Sequence, residues 1–86
     1  MKQLDLPREA LESPEAVEFL RAWHDGGDIG FVSLGNIWDD PAQIGLFLAD
    51  LLRHLVYASE RNDEEKAADL SRAYQLLRAE IESPTE

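Results

Sequence analysis

Residues 13–35 read SPEAVEFLRAWHDGGDIGFVSLG, and the fold turns on whether the first half of that stretch is helix or strand. As a helix, Ser13 caps, Pro14 takes the first position and Glu15 suits the positive end of the dipole. Ala16, Phe19, Leu20 and Trp23 then recur at i, i+3, i+4 and i+7. As a hairpin, residues 17–24 and 29–34 are two β-rich runs joined by Asp25, Gly26, Gly27 and Asp28. Alternation puts Val17, Phe19, Arg21 and Trp23 on one face, and Leu20, Ala22 and His24 on the other. The second run, with Ile29, Phe31, Val32 and Leu34, reads clearly as a strand. A strand needs a partner, and the adjacent upstream segment is the cheapest to recruit. The hairpin is the reading adopted, with helix left open for residues 14–24. A short helical turn at residues 13–16 fits either reading.

Downstream, Asp40, Pro41 and Gln43 spell a helix start, with Asp40 at the N-cap and Gln43 closing a capping box. Trp38 and Ile44 flank it as a hydrophobic staple. This helix is expected over residues 41–59. Asn62 begins a second, with Asp63 and Glu64 at the positive dipole end and Glu65 closing its box. It should run to about residue 82, where Ser83 and Pro84 end it. Ala67, Leu70, Tyr74, Leu77 and Ile81 form its apolar stripe, and Glu64, Lys66, Asp69, Arg72, Gln75 and Glu82 are expected on the outside. A linker of about three residues makes the two helices antiparallel. Upstream, residues 1–12 read as an arm in which Pro7 stops any early helix. Residues 13–86 then form one small domain.

The first long helix carries Ile44, Leu48, Leu51, Leu55 and Ala58 on one continuous face. Phe47, Leu52, Leu46, Ala49 and Val56 extend the apolar character nearly all round, as in a central helix covered on several sides. Its narrow polar stripe holds Gln43, Asp50, Arg53, His54 and Tyr57. Asp50 and His54, four apart, share a face. They suit either an acid–base pair, with Asp50 orienting a His54 base, or an exposed intrahelical pair. Gly45 inside a helix costs about 1 kcal/mol relative to alanine. With Ala49 it forms a small-xxx-small pair that lets another backbone approach. That backbone belongs either to the same chain or to a second copy, whose seam would include Gly45, Ala49, Leu52 and Val56. Arg21, Trp23 and Trp38 are the candidates to line a small-molecule pocket, although aromatics in so small a protein commonly serve the core.

Composition narrows the chemistry. The chain has 86 residues, no cysteine and a formal charge of −10. Thiol nucleophiles, iron–sulfur clusters and cysteine zinc sites are excluded. The eight basic residues form no stripe, so nucleic acid is disfavoured, and anionic membranes with it. No apolar run approaches the ~20 residues of a membrane span. No signal peptide is visible, which points to the cytoplasm. His24, Asp25 and Asp28, with Asp39 and Asp40 near in sequence, match no zinc or calcium spacing. The glycines at 26, 27 and 30 lack the Lys–Ser/Thr pair of a phosphate loop. No metal and no cofactor is expected.

Leu20-Arg21-Ala22-Trp23, Phe31-Val32-Ser33-Leu34, Trp38-Asp39-Asp40-Pro41, Gly45 and the run LADLLRH (residues 48–54) together resemble a family of short bacterial proteins catalogued only as a domain of unknown function. The resemblance covers residues 20–57. It implies the hairpin for residues 17–34 and brings no activity, substrate or cofactor.

The expected fold is therefore α+β, a two-stranded antiparallel hairpin packed on an antiparallel pair of long helices, with an all-α three-helix bundle as the alternative. A chain this short buries only ~60–65% of its unfolded surface, and without disulfides self-association is the natural supplement. The expected function is a non-catalytic acidic interaction or regulatory module, homodimeric, with an unidentified protein partner as a further option. The alternatives are a small-ligand binder or enzyme built on Asp50 and His54, and an acidic inhibitor of a basic protein.

Overall fold

The computed structural model describes residues 1–85; residue 86, the end of the expected domain, lies outside them. The element order is α1 (Arg8–Glu12), β1 (Leu20–Asp25), β2 (Asp28–Ser33), α2 (Pro41–Tyr57) and α3 (Asp63–Glu82). The fold class is α+β, and the strand at residues 20–25 removes the three-helix alternative. Two compact units divide the chain, Met1–Ile37 and Trp38–Glu86. Among the described residues no helix is long and apolar enough to cross a membrane.

In the first unit, β1 and β2 pair antiparallel from Asp25↔Asp28 to Leu20↔Ser33. The two-residue loop forces this register, since each step out from the turn advances one residue on both strands. Gly26 takes φ +64°, the left-handed conformation that a Cβ would penalise. The Gly27 N–H donates to the Asp25 carbonyl at 2.9 Å, closing the corner. Strand β1 starts later than the expected residue 17. The ladder reaches one step beyond it, where the Leu34 N–H donates to the Phe19 carbonyl at 2.8 Å. Residues 13–16 form a single turn, with the Ala16 N–H on the Ser13 carbonyl at 3.3 Å.

Pro7, expected to stop an early helix, stands instead just before one. Its backbone is extended (φ −67°, ψ 151°), and its carbonyl accepts from the N–H groups of Ala10 and Leu11 at 3.1 and 3.2 Å. Proline is costly inside a helix because it lacks a donor, but at the start no donor is needed. Arg8 and Glu12, four apart and paired at 2.6 Å, brace this short helix.

In the second unit, Asp40 caps α2 as expected, accepting from the Ala42 N–H at 3.0 Å. Its backbone carbonyl takes the Gln43 N–H at 2.9 Å. Asn62 caps α3, accepting from the Glu65 N–H at 2.8 Å, while the Glu65 carboxylate pairs with Arg61 at 3.1 Å. The Trp38 ring meets Phe47, at a centroid distance of 5.8 Å and a tilt of 32°, an arrangement aromatic quadrupoles favour.

Helix α2 ends at Tyr57, two residues short of expectation, so residues 58–62 connect it to α3. The connection is held by Arg61, whose Nε lies 2.8 Å from Asp69. Helices α2 and α3 pack against each other. All half-buried residues of α3 fall between Glu65 and Ala73, and from Tyr74 to the end every residue is exposed. Phe47, Leu51, Leu52 and Val56 are half-buried, whereas Leu46 and Leu55 are 67% and 63% exposed. No described residue anywhere in the chain reaches the buried class.

Candidate functional site

Three surfaces collect the candidate residues, and each lies within one unit. The first is the outer side of the α2 C-terminal half. Because α2 turns 100° per residue, Asp50, Arg53, His54 and Tyr57 come to one side, and with Ala58 they line an open depression. Among the described residues, Asp50 and His54 make no hydrogen bond or ion pair with each other. Arg53 turns along the helix to Tyr57 instead, its guanidinium carbon 5.9 Å from the ring centroid. Lys66, expected on the outside of α3, reaches the same ring at 6.0 Å. A tyrosine face attracts cations through its quadrupole, and cations at the end of a helix also suit its negative pole. The cluster thus consists of an aromatic ring with two cations, beside one carboxylate and one imidazole.

The second surface is the open end of the hairpin, where Glu18, Phe19, Leu20, Arg21, Val32, Ser33 and Leu34 line a shallow depression. Arg21 grips Glu18 with two donors, Nε at 2.5 Å and Nη2 at 2.9 Å. These hydrogen bonds hold the Glu18 carboxyl below its ordinary value and raise Arg21 above its own, since each charged form is stabilised by the other. Of the three pocket candidates, Arg21 and Trp23 share a face of β1, and Trp38 belongs to the second unit beside Phe47.

Trp23 has a partner that residue-by-residue reading passes over. It sits opposite Gly30. A Cβ built on Gly30 would lie 2.6 to 2.7 Å from Trp23 Cε2, Cζ2 and Nε1. The indole therefore occupies the space a side chain would need, which explains a glycine in mid-strand. The signal was present in the sequence, because a two-residue Gly26–Gly27 loop places residue 23 across from residue 30.

The third surface is apolar. Ile44, Leu48 and Leu55 stand exposed along α2, and Tyr74, Leu77 and Ile81 along α3. Of the interface candidates, Leu52 and Val56 are half-buried, while Gly45 and Ala49 are exposed. A Cβ on Gly45 would meet no atom within 4 Å.

Comparison with known proteins adds a family and a structural neighbour. The family model described as "Domain of unknown function (DUF5076)" matches residues 3–85. This extends well beyond the residues 20–57 that carried the resemblance. No curated protein matches the chain. A solved chain described as "a putative pyruvate dehydrogenase from the photosynthetic bacterium Rhodopseudomonas palustrus CGA009" is similar, with a TM-score of 0.79 and 30% sequence identity. The alignment covers 100% of this chain and 89% of that one.

Proposed function

The chain belongs to the family described as Domain of unknown function (DUF5076), and from that footing we propose that it is a non-catalytic, acidic interaction module that works as a homodimer. One observation carries the proposal: no described residue is buried. A folded chain is stabilised chiefly by taking apolar surface out of water, and here large apolar side chains on both helices remain wet. A second copy is always available at the concentration of the first and can cover them. Self-association is also the common supplement for chains this small that lack disulfides and metals.

The acid–base candidates Asp50 and His54 line an open depression on one helix, whereas ligand sites typically enclose most of their ligand's surface. The interface reading draws instead on Gly45 and Ala49, flanked by Leu52 and Val56.

Substitution of Gly45 tests it. A Cβ added at Gly45 meets no atom within 4 Å, and leucine is a better helix former than glycine, so Gly45→Leu is expected to leave α2 intact. Light scattering after size exclusion should give about twice 9.7 kDa for the native protein and a single-chain mass for Gly45→Leu, with helical circular dichroism retained. A native protein at single-chain mass across micromolar to millimolar concentration refutes the homodimer.

A further inference from the structure

We propose that Arg53 and Lys66, gathered around the Tyr57 ring, form a binding site for a phosphate monoester, carried by a small molecule or by a phosphorylated side chain.

The first support is that these two cations lack a carboxylate. Arg8, Arg21, Arg61 and Arg78 each hold one. Among the described residues Arg53 and Lys66 hold none, in a chain with 18 acidic residues. Carboxylates stand close by in sequence. Asp50 lies three residues before Arg53, and Asp63 three before Lys66, a separation that brings helix side chains together. Both cations turn instead to Tyr57, at 5.9 and 6.0 Å from its ring centroid. Sharing one ring keeps the two charges within twice that distance of each other. An anion that touches both offsets their mutual repulsion.

The second support is placement. Arg53 comes from α2 and Lys66 from α3, so the packing of the two helices brings the pair together. Lys66 is half-buried, which pins its stem. Arg53 and Tyr57 line the open depression on α2, so a ligand reaches them from solvent.

The class of ligand follows from what the cations decline. A carboxylate offers no more than Asp50 and Asp63 already do. A phosphate monoester carries a charge of about −1.5 to −2 and three acceptor oxygens, enough to engage both cations at once. The planar guanidinium of Arg53 takes two of those oxygens side by side, and the Lys66 ammonium adds a point charge. Such an anion is held by charge, and an open depression serves it. Asp50 on the same depression only accepts hydrogen bonds when ionised, so the part of the ester facing it bears a hydroxyl or an ammonium. The site lies within one chain and is independent of the homodimer reading.

The test is a titration of the full chain, labelled with nitrogen-15, at constant ionic strength. The probes are inorganic phosphate, glycerol 3-phosphate, a Gly-phosphoserine-Gly peptide and acetate. Amide shifts of Arg53, Tyr57 and Lys66 are followed, with helical circular dichroism as the check on folding. The expected result is saturable shifts with the phosphate probes, about tenfold tighter or more than with acetate. Glycerol 3-phosphate binding tightest identifies a small molecule as the source, and the phosphopeptide binding tightest identifies a modified partner. Arg53→Gln and Lys66→Gln should each weaken binding about tenfold. Arg53→Lys, which keeps the charge and loses the fork, should weaken it about threefold. Arg72→Gln, which removes a cation outside the cluster, should leave it unchanged. Acetate saturating as tightly as phosphate, equal losses in Arg72→Gln and Arg53→Gln, or no saturable shift at these residues overturns the site.

Discussion

Gly30→Ala provides a quantitative test of the hairpin. The added methyl would lie 2.6 to 2.7 Å from three atoms of the Trp23 indole, well inside van der Waals contact, so the ring must leave. Trp23 is 38% exposed, which leaves roughly 150 Å² of a large aromatic covered. Losing half of that cover costs about 2 kcal/mol at ~25 cal/mol per Å². Replacing glycine by alanine in a strand returns ~0.5–1 kcal/mol of backbone entropy. The net loss is about 1–1.5 kcal/mol, close to a tenfold drop in the population of paired strands. In a Trp23→Ala background the clash is gone, and the same Gly30→Ala change should stabilise by ~0.5–1 kcal/mol. The sign reversal is a double-mutant coupling of about 2 kcal/mol. Urea titration followed by the amide NMR signals of Leu20–Ser33 reads it without relying on tryptophan fluorescence. Gly30→Ala stabilising the hairpin equally in both backgrounds would falsify the placement of the indole over Gly30.

Asp40→Ala and Asn62→Ala each remove a side-chain cap and should cost roughly 1 kcal/mol, read as a lower urea midpoint in helical circular dichroism; unchanged midpoints would mean that neither cap limits helix stability. Arg61→Ala breaks pairs with Glu65 and Asp69, but Arg61 is about half exposed, so a loss below about 1 kcal/mol that shrinks further in salt is expected. Glu80 is held below its ordinary value by the Thr85 N–H first and the Thr85 hydroxyl second, with bonds of 2.6 and 2.9 Å. Its folded value lies below the unfolded one, so the tie is fully present above about pH 4.3 and disappears as pH falls through the lower folded value. The Thr85 amide shift should therefore move in acid and stop moving in Glu80→Gln; an acid transition that survives Glu80→Gln assigns it to another group.

The helix starts were legible in the sequence because capping is local chemistry. Asp40-Pro41 and Asn62 with its acidic first turn need no knowledge of the rest of the chain. The Gly26–Gly27 corner was legible for the same reason, but residues 14–24 stayed open between strand and helix, and the structure places strand only from Leu20 onward. The Trp38–Phe47 contact escaped, because it depends on how the chain enters the helix, which residue spacing does not encode. Lys66 and Asp69 escaped too. Their charge placed them on the outside of α3, yet the connection at residues 58–62 brings Tyr57 and Arg61 to them, and half-burial follows. Pro7 shows the opposite error, a residue-type rule applied without regard to position. Of the candidate site, the polar stripe on α2 was readable from the helical period. The openness of the apolar stripe was not, since a heptad pattern looks the same whether its partner is in the chain or outside it.

Strand β1 pairs with β2, and α2 packs with α3, so these elements find partners in the next one along the chain. Contacts so close in sequence make for fast folding. A hairpin closes in ~1–10 μs and helices propagate faster still. Meeting a second copy is a different matter. At micromolar protein and ordinary association rates of ~10⁵–10⁷ M⁻¹s⁻¹, that step takes on the order of tenths of a second to ten seconds. In the proposed homodimer, newly made chains therefore wait far longer for a second copy than the hairpin and helices take to form. During that interval the formal charge of −10 would slow indiscriminate association between chains by mutual repulsion.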